Sequence, residues 1–356
     1  MMSKVSKATV VSAILASSVL LSGCGLLGGE KSSKIDPPKE VSYENDASAL
    51  EESEGEEKTE ATKEAGKQAV KTELYLIDKN GYVVPQTIEL PNSQGVAKQA
   101  LEHLVANGPV SNILPNGFRP VLPADTEVDV NIEKGVAVAD FSPEFKNYKK
   151  EDELKILQAI TWTLTQFDSV KSVKLQINGH ELKEMPVNGT PIDEKLSRAQ
   201  GINLDTSDVT DITNTKPLTV YYVGEEKGSN YYVPVTKRVS ETNEDNVAAV
   251  IEELIKGPSY SFNLMSDFVR DVELLESPKL ADKKVILNFN ESILASFKEK
   301  KISKTMLDAL VLSLTEQKGI ESVELQVKGS AKLLDEEGKP MTEPVTRPEK
   351  VNTGSY

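Results

Sequence analysis

Two carboxylates near the end of a β-pattern segment, Asp140 and Glu144, are the pair whose spacing best suits acid–base chemistry. Two acidic side chains flanking one bond are how glycoside hydrolysis is done. The bland alternative is that Asp140 accepts a turn N–H and Glu144 is solvated. His103 lies beside an apolar helical stripe and His180 follows Gly179, and neither has a serine or aspartate at triad spacing. Trp162 and the tyrosines Tyr221, Tyr222, Tyr231 and Tyr232 could stack on sugar rings, although helical and alternating spacing suits core and cross-strand packing. One cysteine and two histidines exclude an intrachain disulfide and a His-rich metal site. No catalytic, cofactor-binding or metal-binding residue is therefore expected.

The one cysteine sits where a different chemistry is available. Lys4 and Lys7 precede an apolar run from Ala8 to Leu21, shorter than the roughly 20 residues of a spanning helix. Residues 1–23 thus read as a signal peptide. The run ends in Leu21-Ser22-Gly23-Cys24, which resembles the bacterial lipobox, whose cysteine thiol accepts diacylglycerol before cleavage. The alternatives are an ordinary membrane anchor, or a secretory signal with an incidental cysteine. Two acyl chains hold a protein on a bilayer where one does not, so diacylglyceryl-Cys24 implies an extracytoplasmic protein attached to the cell membrane.

A content of 38% hydrophobic and 27% charged residues suggests two compact domains with polar connections. A net charge of −15 opposes binding to nucleic acid. Residues 24–71, with Pro37-Pro38 and the acidic run Glu51 to Glu57, have too few apolar groups to offset ordering entropy and read as a tether. Thr190 to Lys216 reads as a linker (190–216) and the chain from Asp335 as a charged tail (335–356).

Between these lie two copies of one pattern, assigned to 72–189 and 217–334. The helical stripe Ala97, Ala100, Leu101, Leu104, Val105 returns as Val247, Val250, Ile251, Leu254, Ile255. Each stops at a Gly-Pro pair, Gly108-Pro109 and Gly257-Pro258, where glycine is expected to supply a left-handed cap. Val138-Ala139-Asp140-Phe141 returns as Ile286-Leu287-Asn288-Phe289, following in the first copy a glycine turn at Glu133-Lys134-Gly135. A second helix carries Ile156, Leu157, Ile160, Leu164 and Phe167, echoed by Met306, Leu307, Leu310 and Leu314. Ser172 to Gly179 and Ser322 to Gly329 close the copies, and short hairpins begun by Leu74-Tyr75-Leu76-Ile77 and Val220-Tyr221-Tyr222-Val223 open them. Hairpin, helix, hairpin, helix, strand predicts an α+β fold of two tandem two-layer α/β sandwiches, each with one apolar sheet face under two helices. A parallel final crossover should be right-handed, and the small sheets leave edge strands open for pairing.

With Asn107-Gly108-Pro109, Ala139-Asp140-Phe141-Ser142, Ile160-Thr161-Trp162-Thr163-Leu164-Thr165 and Val173 to Gly179 in hand, the chain resembles the GerM family of sporulation and germination lipoproteins, with two tandem GerMN domains. The second copy departs from that pattern at Asn288 and in Leu310-Val311-Leu312-Ser313-Leu314, so a ligand site common to both copies is not implied. The resemblance implies a ring-building-motif-like fold, α-β-β-α-β with an added hairpin. It also implies an assembly role in the channel complex that joins mother cell and forespore, from the mother-cell-derived membrane facing the space between them. Protein partners of that complex follow, with the chain a monomer until assembled or a homo-oligomer. Two other readings remain open: a peptidoglycan-binding or peptidoglycan-hydrolysing envelope protein, and a lipoprotein that partners a membrane sensor.

Overall fold

Each copy opens with an antiparallel hairpin longer than its apolar cluster suggests. In the computed structural model, which describes residues 69–353 apart from 94, 208, 210–212 and 242–244, β1 (Ala69–Ile77) pairs with β2 (Val83–Pro91) and β7 (Thr215–Glu226) with β8 (Ser229–Ser240). Lys227 and Gly228 close the second hairpin at φ 50° and 83°, the twist that suits a two-residue turn. Cys24, the signal peptide and most of the tether lie outside the described residues. Among the described residues no helix is long and apolar enough to cross a membrane.

The rest of each copy forms a second sheet. In the first, β3 (Val128–Glu133) pairs antiparallel with β4 (Val136–Phe141), and β4 lies parallel to β5 (Ser172–Ile177), followed by β6 (His180–Glu181). The second repeats this with β9 (Lys279–Ala281), β10 (Lys284–Phe289), β11 (Ser322–Val327) and, in a different role, β12 (Val345–Thr346). Helix α2 (Glu153–Leu164) connects β4 to β5, and α4 (Lys304–Thr315) connects β10 to β11. Every second residue of β4, β5, β10 and β11 is buried, as half-covered strands require.

The single sheet face expected for each copy is therefore divided between two sheets. The hairpins stand apart from the larger sheets because both their faces are covered: β1 and β7 lie on α2 and α4 of their own copies, and β2 meets β8 of the other copy. Leu74 to Ile77 and Val220 to Val223 are consequently buried without alternation, and one apolar core runs through both copies.

The helices that follow the hairpins, α1 (Val96–Glu102) and α3 (Asn246–Lys256), differ in how they stop. Gly257 follows α3 at φ 80° and ψ 179°, a conformation that favours glycine but is extended at ψ and so differs from the left-handed cap expected. In the first copy α1 ends before Leu104 and Val105, and Asn107, not Gly108, adopts the left-handed conformation at φ 61°. Gly108 has an ordinary φ of −83° but stands so close to Val105 that an added Cβ would meet its carbonyl oxygen at 2.9 Å. Close approach is the reason for that glycine.

The polar stretches read as linker and tail are built into the body. Leu196 bridges to Val173, β12 pairs with β11, and Leu196, Ile202 and Val351 are buried. Ser197 to Asn203 and Thr346 to Asn352 form two equivalent arms. The first arm lies on the second copy's hairpin: Thr236 Oγ1 accepts from Ile202 N at 2.9 Å, and Ile202 O from Thr236 N at 2.8 Å. The second arm lies on the first copy's hairpin: Thr87 Oγ1 accepts from Val351 N at 2.7 Å, and Val351 O from Thr87 N at 2.9 Å. Polar composition concealed this, because the arms are held by backbone and hydroxyl hydrogen bonds and not by an apolar stripe.

Candidate functional site

The strand end that carries Asp140 forms a cleft of about 670 Å³ with α1, lined by Lys98, Glu102, Glu127, Asp129, Phe141 and Ser142 among others. Both Asp140 carboxylate oxygens accept from Gly179 N at 3.0 Å. In the second copy Asn288 Oδ1 accepts from Gly329 N at 2.9 Å. A carboxylate and a carboxamide thus do one job at one position, which is to accept the N–H of the turn after the parallel strand. A carboxamide does not ionise near neutral pH, so this job needs no acid–base function.

Glu144 opens a short turn of helix, and the Ser142 hydroxyl and the backbone N–H of Glu144 hold its carboxyl below the usual range. Its repeat counterpart Ser292 has no acidic group. His103 Nδ1 lies 2.7 Å from the carbonyl of Gln99, one turn back in α1, and His180 is exposed on β6. Among the described residues no cluster of histidine, cysteine, aspartate or glutamate could hold a metal ion.

The aromatic side chains are structural anchors. Trp162 is buried, its Nε1 donating to Gly201 O at 3.3 Å, and Tyr222 Oη donates to Glu253 O at 2.9 Å. Tyr231 Oη donates to Asp78 Oδ2 at 2.7 Å, joining the two copies, and Tyr232 Oη donates to Asp308 Oδ2 at 3.0 Å. Burial first, then the neighbouring Glu316, pushes the Tyr221 hydroxyl well up from its ordinary pKa. None of these rings lies open for a sugar.

Tyr221 leads to a half-buried cluster of charges where α2, α4 and both arms converge. Arg198 Nη1 donates to Glu316 Oε1 and Oε2 at 2.8 and 2.9 Å, and Arg347 Nη2 donates to Glu73 Oε1 at 3.2 Å. Arg347 Nη1 lies 3.3 Å from Glu316, and Tyr221 Oη donates to the same carboxylate at 3.0 Å. Burial opposes the charge on Glu316, yet Arg198 and Arg347 together hold its carboxyl below the ordinary range. Each arginine also covers a ring of its own copy, Arg198 over Trp162 at 4.4 Å and Arg347 over Tyr221 at 5.6 Å.

One position of the second copy's departure in α4, Ser313 for Thr163, keeps a shared contact. Thr163 Oγ1 accepts from Tyr75 N at 3.2 Å, and Ser313 Oγ accepts from Tyr221 N at 2.8 Å. These hydroxyls secure each hairpin to its helix, so exchanging threonine for serine keeps the contact.

Two asparagines complete the junction. Asn203 Nδ2 donates to Val83 O and Pro234 O, each at 2.8 Å, and its Oδ1 accepts from Val83 N at 2.9 Å. Asn352 does the same in mirror sense, Nδ2 donating to Tyr232 O and Pro85 O at 2.8 Å and Oδ1 accepting from Tyr232 N at 2.8 Å. Both stand at positive φ, 46° and 54°, which asparagine tolerates better than most residues. Each arm thus holds its own copy's hairpin and the other's.

Sequence reasoning missed these arm residues by ending the repeat early. The signal was present: Ser197-Arg198-Ala199-Gln200-Gly201-Ile202-Asn203 and Thr346-Arg347-Pro348-Glu349-Lys350-Val351-Asn352 share Arg, a β-branched residue and Asn at a constant offset.

The same duplication decides the family. The family model Germane, described as sporulation and spore germination, matches twice, over residues 73–183 and 219–333. The chain belongs to the Germane family. The spore germination protein GerM of Bacillus subtilis (strain 168) is 54% identical over 366 residues, with both chains covered in full. A solved structure of the tandem GerMN domains of the sporulation protein GerM from Bacillus subtilis matches with a TM-score of 0.76 at 59% identity, covering 81% of this chain and 100% of that one. The Germane fold here is the tandem α+β architecture expected from the repeat, with its opening hairpins forming sheets of their own.

Proposed function

We infer that this Germane chain is an extracytoplasmic lipoprotein, anchored through diacylglyceryl-Cys24, that acts without catalysis as an assembly component in sporulation and influences germination. In this reading it sits on the mother-cell-derived membrane and stabilises the channel complex between mother cell and forespore. The observation that carries the non-catalytic part is the shared job of Asp140 and Asn288, each accepting a turn N–H. The names of its relatives, a spore germination protein and a sporulation protein, support the biological setting. The anchor is supported by Lys4, Lys7, the apolar run to Leu21 and the small residues before Cys24.

Fractionation of sporulating cells tests the anchor. Cys24→Ser should move the protein out of the membrane pellet, and unchanged pelleting would refute lipidation. Asp140→Asn tests catalysis. It should support sporulation as well as the parent chain does, whereas a folded variant that fails to sporulate would favour a peptidoglycan hydrolase.

A further inference from the structure

We propose that the edge of β3, with the groove between it and α1, receives an extended segment of another protein bearing lysine or arginine side chains. This deepens the assembly reading and rests on it for its biological purpose, though not for its chemistry. β3 is the outermost strand of its sheet. Glu127 O accepts from Ser142 N at 3.0 Å, and Glu133 lies opposite Val136 across the two-residue turn. Inward and outward groups alternate along an antiparallel pair, so residues 127, 129, 131 and 133 bond towards β4. The N–H and C=O groups of Val128, Val130 and Ile132 therefore point away from the sheet. Among the described residues these outward groups have no hydrogen-bond partner. Such a row is what an added strand pairs with.

The second copy handles the equivalent edge differently. β9 has three residues and follows Pro278, while Leu275 N resumes pairing by donating to Asn288 O at 2.8 Å. Glu276-Ser277-Pro278 is pushed out between these two pairings, and a bulge with proline and a flanking lysine, Lys279, blocks further strand addition. One edge is protected and its twin is regular over six residues.

The groove beside that regular edge selects the occupant. Glu102, Glu127, Asp129 and Asp140 face one lysine, Lys98, whose Nζ lies 3.4 Å from Asp129, and the largely buried Val105, Val128 and Phe141 form the apolar part of the wall. Four carboxylates against one ammonium attract cationic side chains and repel acidic ones. Because side chains alternate along a strand, a segment alternating basic and apolar residues satisfies both the charge and the apolar surface.

The test uses the full-length chain in detergent with two capped heptapeptides, one alternating lysine and valine and the other glutamate and valine. The lysine peptide should bind and slow amide exchange in the 127–133 segment, measured by hydrogen-exchange mass spectrometry, and the glutamate peptide should not. Val130→Pro removes an outward N–H without costing a bond to β4, and Glu127→Lys with Asp129→Lys reverses the local charge. Each change should weaken lysine-peptide binding at least tenfold while the melting temperature stays put. If Val130→Pro does not fold, the charge variant decides. Equal binding of the two peptides, protection confined to other segments, or undiminished binding by the charge variant would overturn the proposal. Sporulation of a strain carrying the charge variant separately decides whether the groove serves assembly, so the two readings fail independently.

Discussion

Glu153 is a residue whose role in this molecule is opposite to its usual one. A glutamate opening a helix is ordinarily solvated, yet this one is fully buried and accepts from the N–H groups of Val187, Asn188 and Thr190 at 3.0, 2.7 and 2.9 Å, and from Tyr148 Oη at 2.8 Å. Burial opposes its charge, but the donors from Thr190, Asn188 and Tyr148 outweigh that and lower its pKa to about 2. A carboxylate depressed in the folded state stabilises fully above its unfolded pKa, 4.5, and loses that contribution as pH falls towards 2. The contribution near neutral pH is on the order of 3 kcal/mol. Glu153→Gln should lower the melting temperature at pH 7 and flatten its dependence on pH between 5 and 2, as read by circular dichroism. An unchanged slope would mean that the loop is held by something else. Nothing in the sequence announces Glu153, because its partners are backbone N–H groups 34 to 37 residues away.

At the scale of elements, the arms are the part that energetic arguments make most exposed to mutation. Arg198→Ala removes one of two cations from the half-buried Glu316 carboxylate, and losing its charge-assisted hydrogen bonds should cost about 1.5–3 kcal/mol. Asn203→Ala removes three hydrogen bonds, leaving Val83 N, Val83 O and Pro234 O short of a partner, and should cost about 2–3 kcal/mol. Urea titration of each variant measures these losses, and a change below about 1 kcal/mol for Arg198→Ala would place the binding energy of the junction elsewhere. The helices and the parallel strands were legible because apolar periodicity is a strong signal. Those same patterns also disclosed the duplication. The arms were not legible, since their apolar contribution is one residue each, Ile202 and Val351, and the rest of their hold is geometric. Hairpin length was hidden for a related reason: Thr72, Gln86, Thr87, Thr236 and Lys237 are buried polar residues that break the alternation on which strand assignment depends. Of the sequence-named groups, Asp140 was correctly suspected of capping a turn. The groove it borders could not be read, because it depends on α1 stopping early.

For the whole molecule, the continuous core makes a thermodynamic claim: the two copies unfold together. Trp162, the one tryptophan, belongs to the first copy and is buried there, so its fluorescence reports that half. Leu310 is buried in the second copy, and Leu310→Ala should cost about 2–5 kcal/mol. If the halves are coupled, that substitution lowers the Trp162 transition and the circular-dichroism transition equally. A Trp162 midpoint that ignores it would mean two independent domains.

The crossed placement of the arms also sets a timetable for the newborn polypeptide. Thr87, Pro85 and Tyr232 wait for Val351 and Asn352, which emerge after all the strands and helices that they secure. The first copy's hairpin is therefore finished by a residue made 264 positions after it, and a stop codon just before Val345 would injure the first copy as well as the second. Both copies must therefore be synthesised through the second arm before either half reaches its mature form.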